Sequence, residues 1–199
     1  MDHLISRRRW LSGLAGLAAL GFSTSGARAG YLPDNHPALE FTRKATNALF
    51  NAHRQGTVQA FLPVIERSAD VAYIADYSLG QYLKKMPDSL KPAYYRGVAL
   101  FMSRYFADQT RSYRVAKWVV GKATEAPADT FNINTTVTLL SGTAYDVVWT
   151  VKKGKDGWRF TDAKVMIFSL TYAQRALFTS YLQKHQGDVN QLVTVLNRK

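Results

Sequence analysis

The spacing of apolar residues along this chain changes from the period of an α-helix to that of a β-strand near residue 112. From Pro37 to about Asp108, apolar side chains recur every three or four positions, which is typical of helices that bury one face. Beyond residue 112 they alternate with polar ones, as at Phe131 and Ile133, which is typical of half-buried strands. The helical period returns at Thr171. Helices, then strands, then helices predict an α+β fold.

Local signals predict where several helices begin and end. Pro37 suits a first helical position, and Gly56 suits the end of that helix. Pro63 should break or kink the next helix, and a third helix is expected over about residues 69–85. Asp188 with Gln191 predicts the capped start of a last short helix.

Turn signals divide the middle block into short strands. Two turn signals are Ser141-Gly142 and the glycine-flanked loop at residues 154–157. Because both segments are short enough only for tight turns, the strands that they join must be antiparallel. We predict four strands, over residues 115–120, 131–139, 145–151 and 158–170, with a loose stretch over residues 121–129. The N-terminal helices and a C-terminal helix pair are expected to pack on one face of this four-stranded sheet.

The first 29 residues have the three parts of an export signal. Arg7, Arg8 and Arg9 form a basic start, residues 10–22 form a short apolar run, and Ala27-Arg28-Ala29 is a small-x-small cleavage site. The apolar run is too short to span a bilayer, which needs about 20 residues. We therefore predict a signal peptide over residues 1–29 and a single domain over residues 30–199. The basic start is compatible with the general secretory route and with the twin-arginine route.

Charge and cysteine content exclude several function classes. The chain carries 26 basic and 14 acidic residues, a formal net charge of +12, and no cysteine. Thiol catalysis, disulfide scaffolds and cysteine-based zinc sites are therefore excluded. Four arginines and one aspartate leave with residues 1–29, so the remaining 170 residues keep 22 basic and 13 acidic side chains, or +9. Because an exported protein does not meet chromosomal DNA, this charge favours an anionic membrane surface, or solubility alone, over nucleic acid.

The predicted helix before residue 110 has more apolar surface than one core-facing side requires. One apolar stripe contains Leu90, Tyr94, Val98, Phe101 and Tyr105, and a second contains Tyr95, Ala99, Met102 and Phe106. Two stripes opposite an apolar strand face would suit a concave site for an apolar ligand. They suit a filled core equally well, because alternation shows which side faces inward but not whether the inside is filled.

Candidate catalytic and metal-binding groups are few. The sequence has no nucleophile elbow, phosphate-binding glycine loop or His-Glu-x-x-His zinc motif. His53 and His185 lie near predicted helix ends, where the helix dipole favours a surface cation. Asp146 and Asp162 lie within apolar strands and could form an acid pair, although alternation places Asp146 on the wet face. We therefore predict no metal, no cofactor and no enzymatic activity.

Three stretches resemble the MlaC family, the periplasmic phospholipid-binding component of a lipid-transport ABC system that is associated with toluene tolerance. They are ADVAYIADYSLGQY at residues 69–82, YDVVW at residues 145–149 and GWRFTD at residues 157–162. Single positions later in the chain also match the family's C-terminal pattern: Ser169, Leu170, Arg175, Phe178, Gly187 and Leu192. The resemblance covers roughly residues 37–197.

The resemblance implies an apolar cavity between the helices and the sheet, and a single lipid-binding domain over residues 30–199. It further implies a carrier that passes one lipid at a time between an inner-membrane ABC transporter complex and an outer-membrane lipoprotein complex. We expect a periplasmic monomer that binds no nucleic acid and maintains outer-membrane lipid asymmetry. Each acyl methylene buried in its pocket would contribute about 0.8 kcal/mol. The residues predicted to line the pocket are Val98, Phe101, Tyr105, Tyr145, Val147, Trp149, Val151, Met166, Phe168 and Leu170.

The chain departs from the family pattern at the expected mouth of the pocket. Tyr82 stands where the family commonly has Trp, and Met166 and Ile167 stand where it has an acidic residue and Gly. These changes leave open whether the lipid is a phospholipid or a related lipid such as a hopanoid. Two other classes of function also remain: a small α+β enzyme that acts on an apolar substrate, and an envelope adaptor with a filled core.

Overall fold

The computed structural model describes residues 31–198, so the predicted export signal over residues 1–29 lies outside the described residues. Within residues 31–198 the helices are α1 Pro37–Gln55, α2 Val58–Ser68, α3 Val71–Leu79, α4 Lys91–Gln109, α5 Leu170–Lys184 and α6 Val189–Asn197. Two 3₁₀ segments, Gly80–Lys85 and Asp88–Leu90, connect α3 to α4. The strands are β1 Val115–Ala126, β2 Thr130–Leu139, β3 Ala144–Gly154, β4 Gly157–Val165 and β5 Phe168–Ser169.

The helices begin and end at residues that satisfy the free backbone groups of their ends. Asp70, Ser169 and Asp188 accept backbone N–H bonds at the N-termini of α3, α5 and α6. Gly56 ends α1 with φ of 67°, a left-handed conformation that glycine adopts without a steric cost. The sequence predicted the start of α1 at Pro37 and the cap of α6 at Asp188, and both are confirmed.

Two helix predictions were wrong in detail. Pro63 was expected to break or kink the second helix, but α2 continues through it to Ser68, with Pro63 itself exposed. Phe61 and Val64, on either side of the proline, are buried, and their contacts hold the helix together across the lost hydrogen bond. The third helix was expected to reach residue 85, yet α3 ends at Gly80, where φ is 54°.

The strands form one antiparallel sheet in the order β1-β2-β3-β4-β5, with every strand next to its sequence neighbour. β1 is continuous over the stretch predicted to be loose, because a register shift between Val120 and Ala123 absorbs the irregular residues. The sheet has five strands rather than the predicted four. The segment expected as one strand over residues 158–170 turns back at Met166 and Ile167, and Leu170 already belongs to α5.

Three buried clusters surround the space between the helices and the sheet. One cluster joins α3, α4, α5 and α6 around Tyr94 and Phe178. A second packs α1 onto the inner face of the sheet around Leu39 and Ile133, and a third joins α1, α2 and α4 around Phe61. The α+β fold, with helices on one sheet face and an apolar cavity between the layers, is confirmed.

Candidate functional site

A cavity of about 1450 Å³ lies between the helices and the inner face of the sheet. Small-molecule sites usually measure about 300–1,000 Å³, so this cavity has room for a larger ligand. Its walls come from α1, α2, α4, α5, α6 and all five strands. An apolar recess of about 80 Å³ extends it toward Ile65 and Ile74. The cavity and the recess share six residues: Leu49, Phe101, Tyr105, Phe106, Trp149 and Leu170.

Aromatic side chains on the cavity wall are fixed by contacts behind them. The Trp149 ring lies 4.6 Å from Phe160, centroid to centroid, and its Nε1–H donates to Thr135 Oγ1 at 3.1 Å. Phe101 packs edge-on against the buried Phe178 at 5.2 Å. Because these rings are held by contacts within the protein, this part of the wall is formed without a ligand.

Two of the tyrosines that line the cavity, Tyr105 and Tyr145, have raised pKa values. Burial raises the pKa of Tyr105 and of Tyr145 above the ordinary value of 10, with a smaller contribution from the neighbouring Tyr113. A phenol in this setting stays protonated at neutral pH. Both side chains therefore present an apolar ring and a neutral hydroxyl to the cavity.

Polar groups at the recess already bind one another. Asp162 Oδ1 accepts the backbone N–H groups of Ala163 at 2.8 Å and Thr171 at 3.1 Å, which fixes the carboxylate at the start of α5. Gln174 Nε2 donates to Ser78 Oγ at 2.8 Å. Since these groups use their hydrogen-bonding capacity within the protein, the recess offers a ligand mainly apolar contact.

Cationic and polar groups occupy the outer part of the cavity. The Arg104 guanidinium donates to the carbonyl oxygens of Leu196, at 2.9 Å, and Arg198, which ties α4 to the end of α6. His53 Nε2–H donates to the Tyr113 carbonyl oxygen at 2.8 Å. Arg111 also lines the cavity and is exposed to solvent. The cavity therefore runs from an apolar recess to a positively charged rim.

Seven of the ten residues predicted to line a pocket lie on the cavity wall, and as lipid-binding residues they stay a prediction. They are Phe101, Tyr105, Tyr145, Trp149, Met166, Phe168 and Leu170. The other three, Val98, Val147 and Val151, are buried away from the wall. Val98 lies one turn before Phe101 in the cluster of α3 to α6, and Val151 packs beneath α1.

The sequence analysis missed cavity-wall residues on α1 and β1, because the sequence does not show where these elements lie relative to the cavity. Leu49 and Phe50 of α1 line the cavity, and so does Trp118 of β1, whose ring centroid lies 3.6 Å from that of Phe50. The helical period around Leu49 marks an apolar face, but nothing local indicates that this face looks into open space. Phe106 lay in the second stripe of α4 and could have been included.

The candidate catalytic groups are not assembled into an acid pair. Asp146 is exposed and its Oδ1 accepts the Thr136 hydroxyl at 2.8 Å, while Asp162 binds the start of α5. Within residues 31–198 no three His or acidic side chains are grouped so that they could hold a metal ion. None of the helices in this part of the chain is both long and apolar enough to cross a membrane.

Fold and cavity together define a small α+β protein with a large apolar pocket between its helices and its sheet. The sequence profile of the MlaC protein family matches residues 42–198, and the chain belongs to this family. Its fold is similar to that of the phospholipid-binding protein from Ralstonia solanacearum, solved at 1.53 Å in complex with a phospholipid. The two share 17% identity with a TM-score of 0.68, over 81% of this chain and 96% of that one. Comparison with curated proteins finds no match.

Proposed function

We propose that this protein is a periplasmic lipid carrier that holds one phospholipid, or a related lipid such as a hopanoid, in the cavity between helices and sheet. The observation that carries the proposal is the cavity itself, whose volume of about 1450 Å³ is combined with a preformed aromatic wall. Membership of the MlaC family and the phospholipid bound to the Ralstonia protein support the same ligand class.

Lipid binding follows from the transfer of acyl chains out of water. Each methylene that enters an apolar site contributes about 0.8 kcal/mol. The wall that the cavity shares with the recess, which includes Leu49, Phe101 and Trp149, is apolar. The charged head group would stay at the rim, where Arg104 and Arg111 lie. This division matches the cavity's polarity, because burying a head group in the recess would strip its charge of water without a partner.

The carrier passes its lipid between an inner-membrane ABC transporter complex and an outer-membrane lipoprotein complex, as a monomer and without a cofactor. Family membership supports these partners and the periplasmic location. The non-enzymatic assignment rests on the same family and on the roles of Asp146 and Asp162, which bind Thr136 and the start of α5 instead of each other.

Organic extraction of the purified protein followed by mass spectrometry tests this function. We expect about one lipid molecule per protein. A protein that emerges empty, and that takes up no lipid from added phospholipid or hopanoid, would rule out the carrier and favour an adaptor.

A pair of variants on α5 separates cavity binding from surface adsorption. Ala173 lines the cavity, whereas Ala176 on the same helix is exposed and does not. Ala173→Trp should place an indole in the cavity and reduce bound lipid about tenfold, since several methylene contacts are lost. Ala176→Trp adds the same ring to the outside and should leave lipid content unchanged. Equal lipid in both variants would place the ligand elsewhere.

A further inference from the structure

The turn between β4 and β5 exposes large apolar side chains at the mouth of the cavity. Met166 is 59% exposed, Ile167 82%, Phe168 50% and the nearby Tyr172 65%. All four also line the cavity, so its apolar wall continues onto the outer surface. We call Met166, Ile167, Phe168 and Tyr172 the mouth patch. Contiguous exposed apolar side chains of this kind mark a contact surface.

Two residues of the mouth patch form a tight turn that normally disfavours large side chains. Val165 pairs with Phe168, which leaves Met166 and Ile167 as a two-residue hairpin turn, and Met166 has φ of 58°. Such turns favour glycine or asparagine, because most side chains resist positive φ. Met166 and Ile167 form this turn at a cost in backbone conformational energy, and they expose two large apolar side chains to water. A local rule broken without a gain in packing points to a functional use of these side chains.

Positive charge lies at the same end of the sheet as the mouth patch. Hydrogen bonds and pairings bring the start of β1, the β2–β3 turn and the β4–β5 turn to the same end: Val115 pairs with Leu139, and Met166 N–H donates to the Asp146 carbonyl oxygen. Four cations here are exposed, Arg111, Arg114, Lys117 and Lys164. The carboxylates at this end are Asp108, Asp146 and Asp162; Asp146 accepts the Thr136 hydroxyl, and Asp162 accepts the Thr171 N–H at the start of α5. The charge balance is positive and complements an anionic surface.

We propose that the mouth patch inserts into the surface of an anionic lipid bilayer and so opens the cavity onto the acyl-chain region. The inference rests on the proposed function and adds to it, since it assigns how the mouth of the same cavity meets the membrane in which the proposed partner complexes lie. Apolar and aromatic side chains together with cations on the same side of a protein are the combination that binds the boundary between head groups and acyl chains. A lipid could then slide along the apolar wall without exposing its chains to water.

Vesicle flotation tests the proposal on protein purified after expression of the full chain. Vesicles that contain phosphatidylglycerol should carry the protein, and vesicles of phosphatidylcholine alone should carry much less, with the difference shrinking at high salt. Ile167→Asp and Tyr172→Asp should each weaken flotation about tenfold, because a buried apolar contact is replaced by a charge.

Tyr31 supplies the matched control for Tyr172. It is 64% exposed and pairs with Thr124, at the opposite end of β1 from the cavity mouth. Tyr31→Asp therefore introduces the same charge at the same exposure and should float like the parent protein. Thermal melting checks that each variant is folded. If Ile167→Asp or Tyr172→Asp melts at a lower temperature than the parent protein, the milder Ile167→Ser replaces it and should still show weaker flotation than the parent.

The outcomes separate this proposal from the carrier function. A protein that yields lipid on extraction but floats with neither vesicle would overturn membrane insertion, would leave the carrier intact, and would assign the mouth patch to a protein partner. Equal loss of flotation in Tyr31→Asp and Tyr172→Asp would also overturn it, since charge alone would explain the loss. A protein that floats but never contains lipid would refute the carrier instead.

Discussion

The buried hydroxyl of Tyr94 makes a hydrogen bond whose contribution to stability can be measured. The side chain is fully buried in α4, and its hydroxyl donates to the Ala75 carbonyl oxygen of α3 at 2.8 Å. Burial raises its pKa well above 10, with Asp76 adding to the effect. Tyr94→Phe removes the bond and should lower the free energy of unfolding by about 1 kcal/mol at neutral pH. Urea unfolding monitored by circular dichroism measures the change.

The pH dependence of the same variant follows from the direction of the shift. A tyrosine in the unfolded chain loses its proton near pH 10, while folded Tyr94 keeps its proton. The contribution of Tyr94 to the free energy of unfolding is therefore fully present below pH 10 and falls as the pH rises above 10. The slope from one such group is at most about 1.4 kcal/mol per pH unit. Tyr94→Phe should therefore lose stability less steeply between pH 10 and 11 than the parent. Parallel slopes would contradict the assignment.

Single residues also show where sequence reasoning stops. Alternation placed Trp149 and Val151 on the same inward face of β3, and both do point inward. One lines the cavity and the other packs beneath α1, because the helix covers only part of the sheet. The side of a strand is a local property, whereas the emptiness of the space above it depends on where distant helices lie.

At the scale of elements, α2 offers a direct test of helix physics. Pro63 lies in the helix interior, where the missing backbone N–H destabilises the folded protein by about 3 kcal/mol. Proline also restricts the unfolded chain, which stabilises the folded protein by about 1 kcal/mol and offsets part of this cost. Pro63→Ala should therefore raise the free energy of unfolding by about 2 kcal/mol, as measured by denaturant titration.

Pro92 is the control for this substitution, because it lies in the first turn of α4, where a proline costs nothing. Pro92→Ala should lower the free energy of unfolding by less than about 1 kcal/mol, through the more flexible unfolded chain. If Pro63→Ala instead destabilised the protein, a proline-dependent bend would be holding Phe61 and Val64 against α4.

Some element ends were predictable because they carry standard signals, although the glycine that ends α3 was overlooked. Gly56 and Asp188 marked helix boundaries correctly, since each supplies a specific backbone or capping interaction. The turn after β4 was missed because Met166 and Ile167 are not turn residues, so a hairpin was interpreted as one long strand. The element that sequence patterns describe worst is thus the one at the mouth of the cavity.

For the whole molecule, bound lipid should appear as stability. A ligand that binds only the folded state adds about 2.7 kcal/mol at a free concentration 100 times its Kd. Protein that is extracted, unfolded in guanidinium and refolded without lipid should therefore unfold at lower denaturant than protein purified directly. Adding phospholipid to the refolded protein should restore the midpoint.

The two α5 variants show whether this stabilisation comes from the cavity. Ala173→Trp fills part of the cavity, so added lipid should move its midpoint much less than it moves that of Ala176→Trp, whose new ring lies outside. The three cores meet around the cavity without filling it, and a lipid would join them into one continuous apolar interior. If added lipid shifted both midpoints equally, binding would be to the surface, and stability would be independent of the cavity.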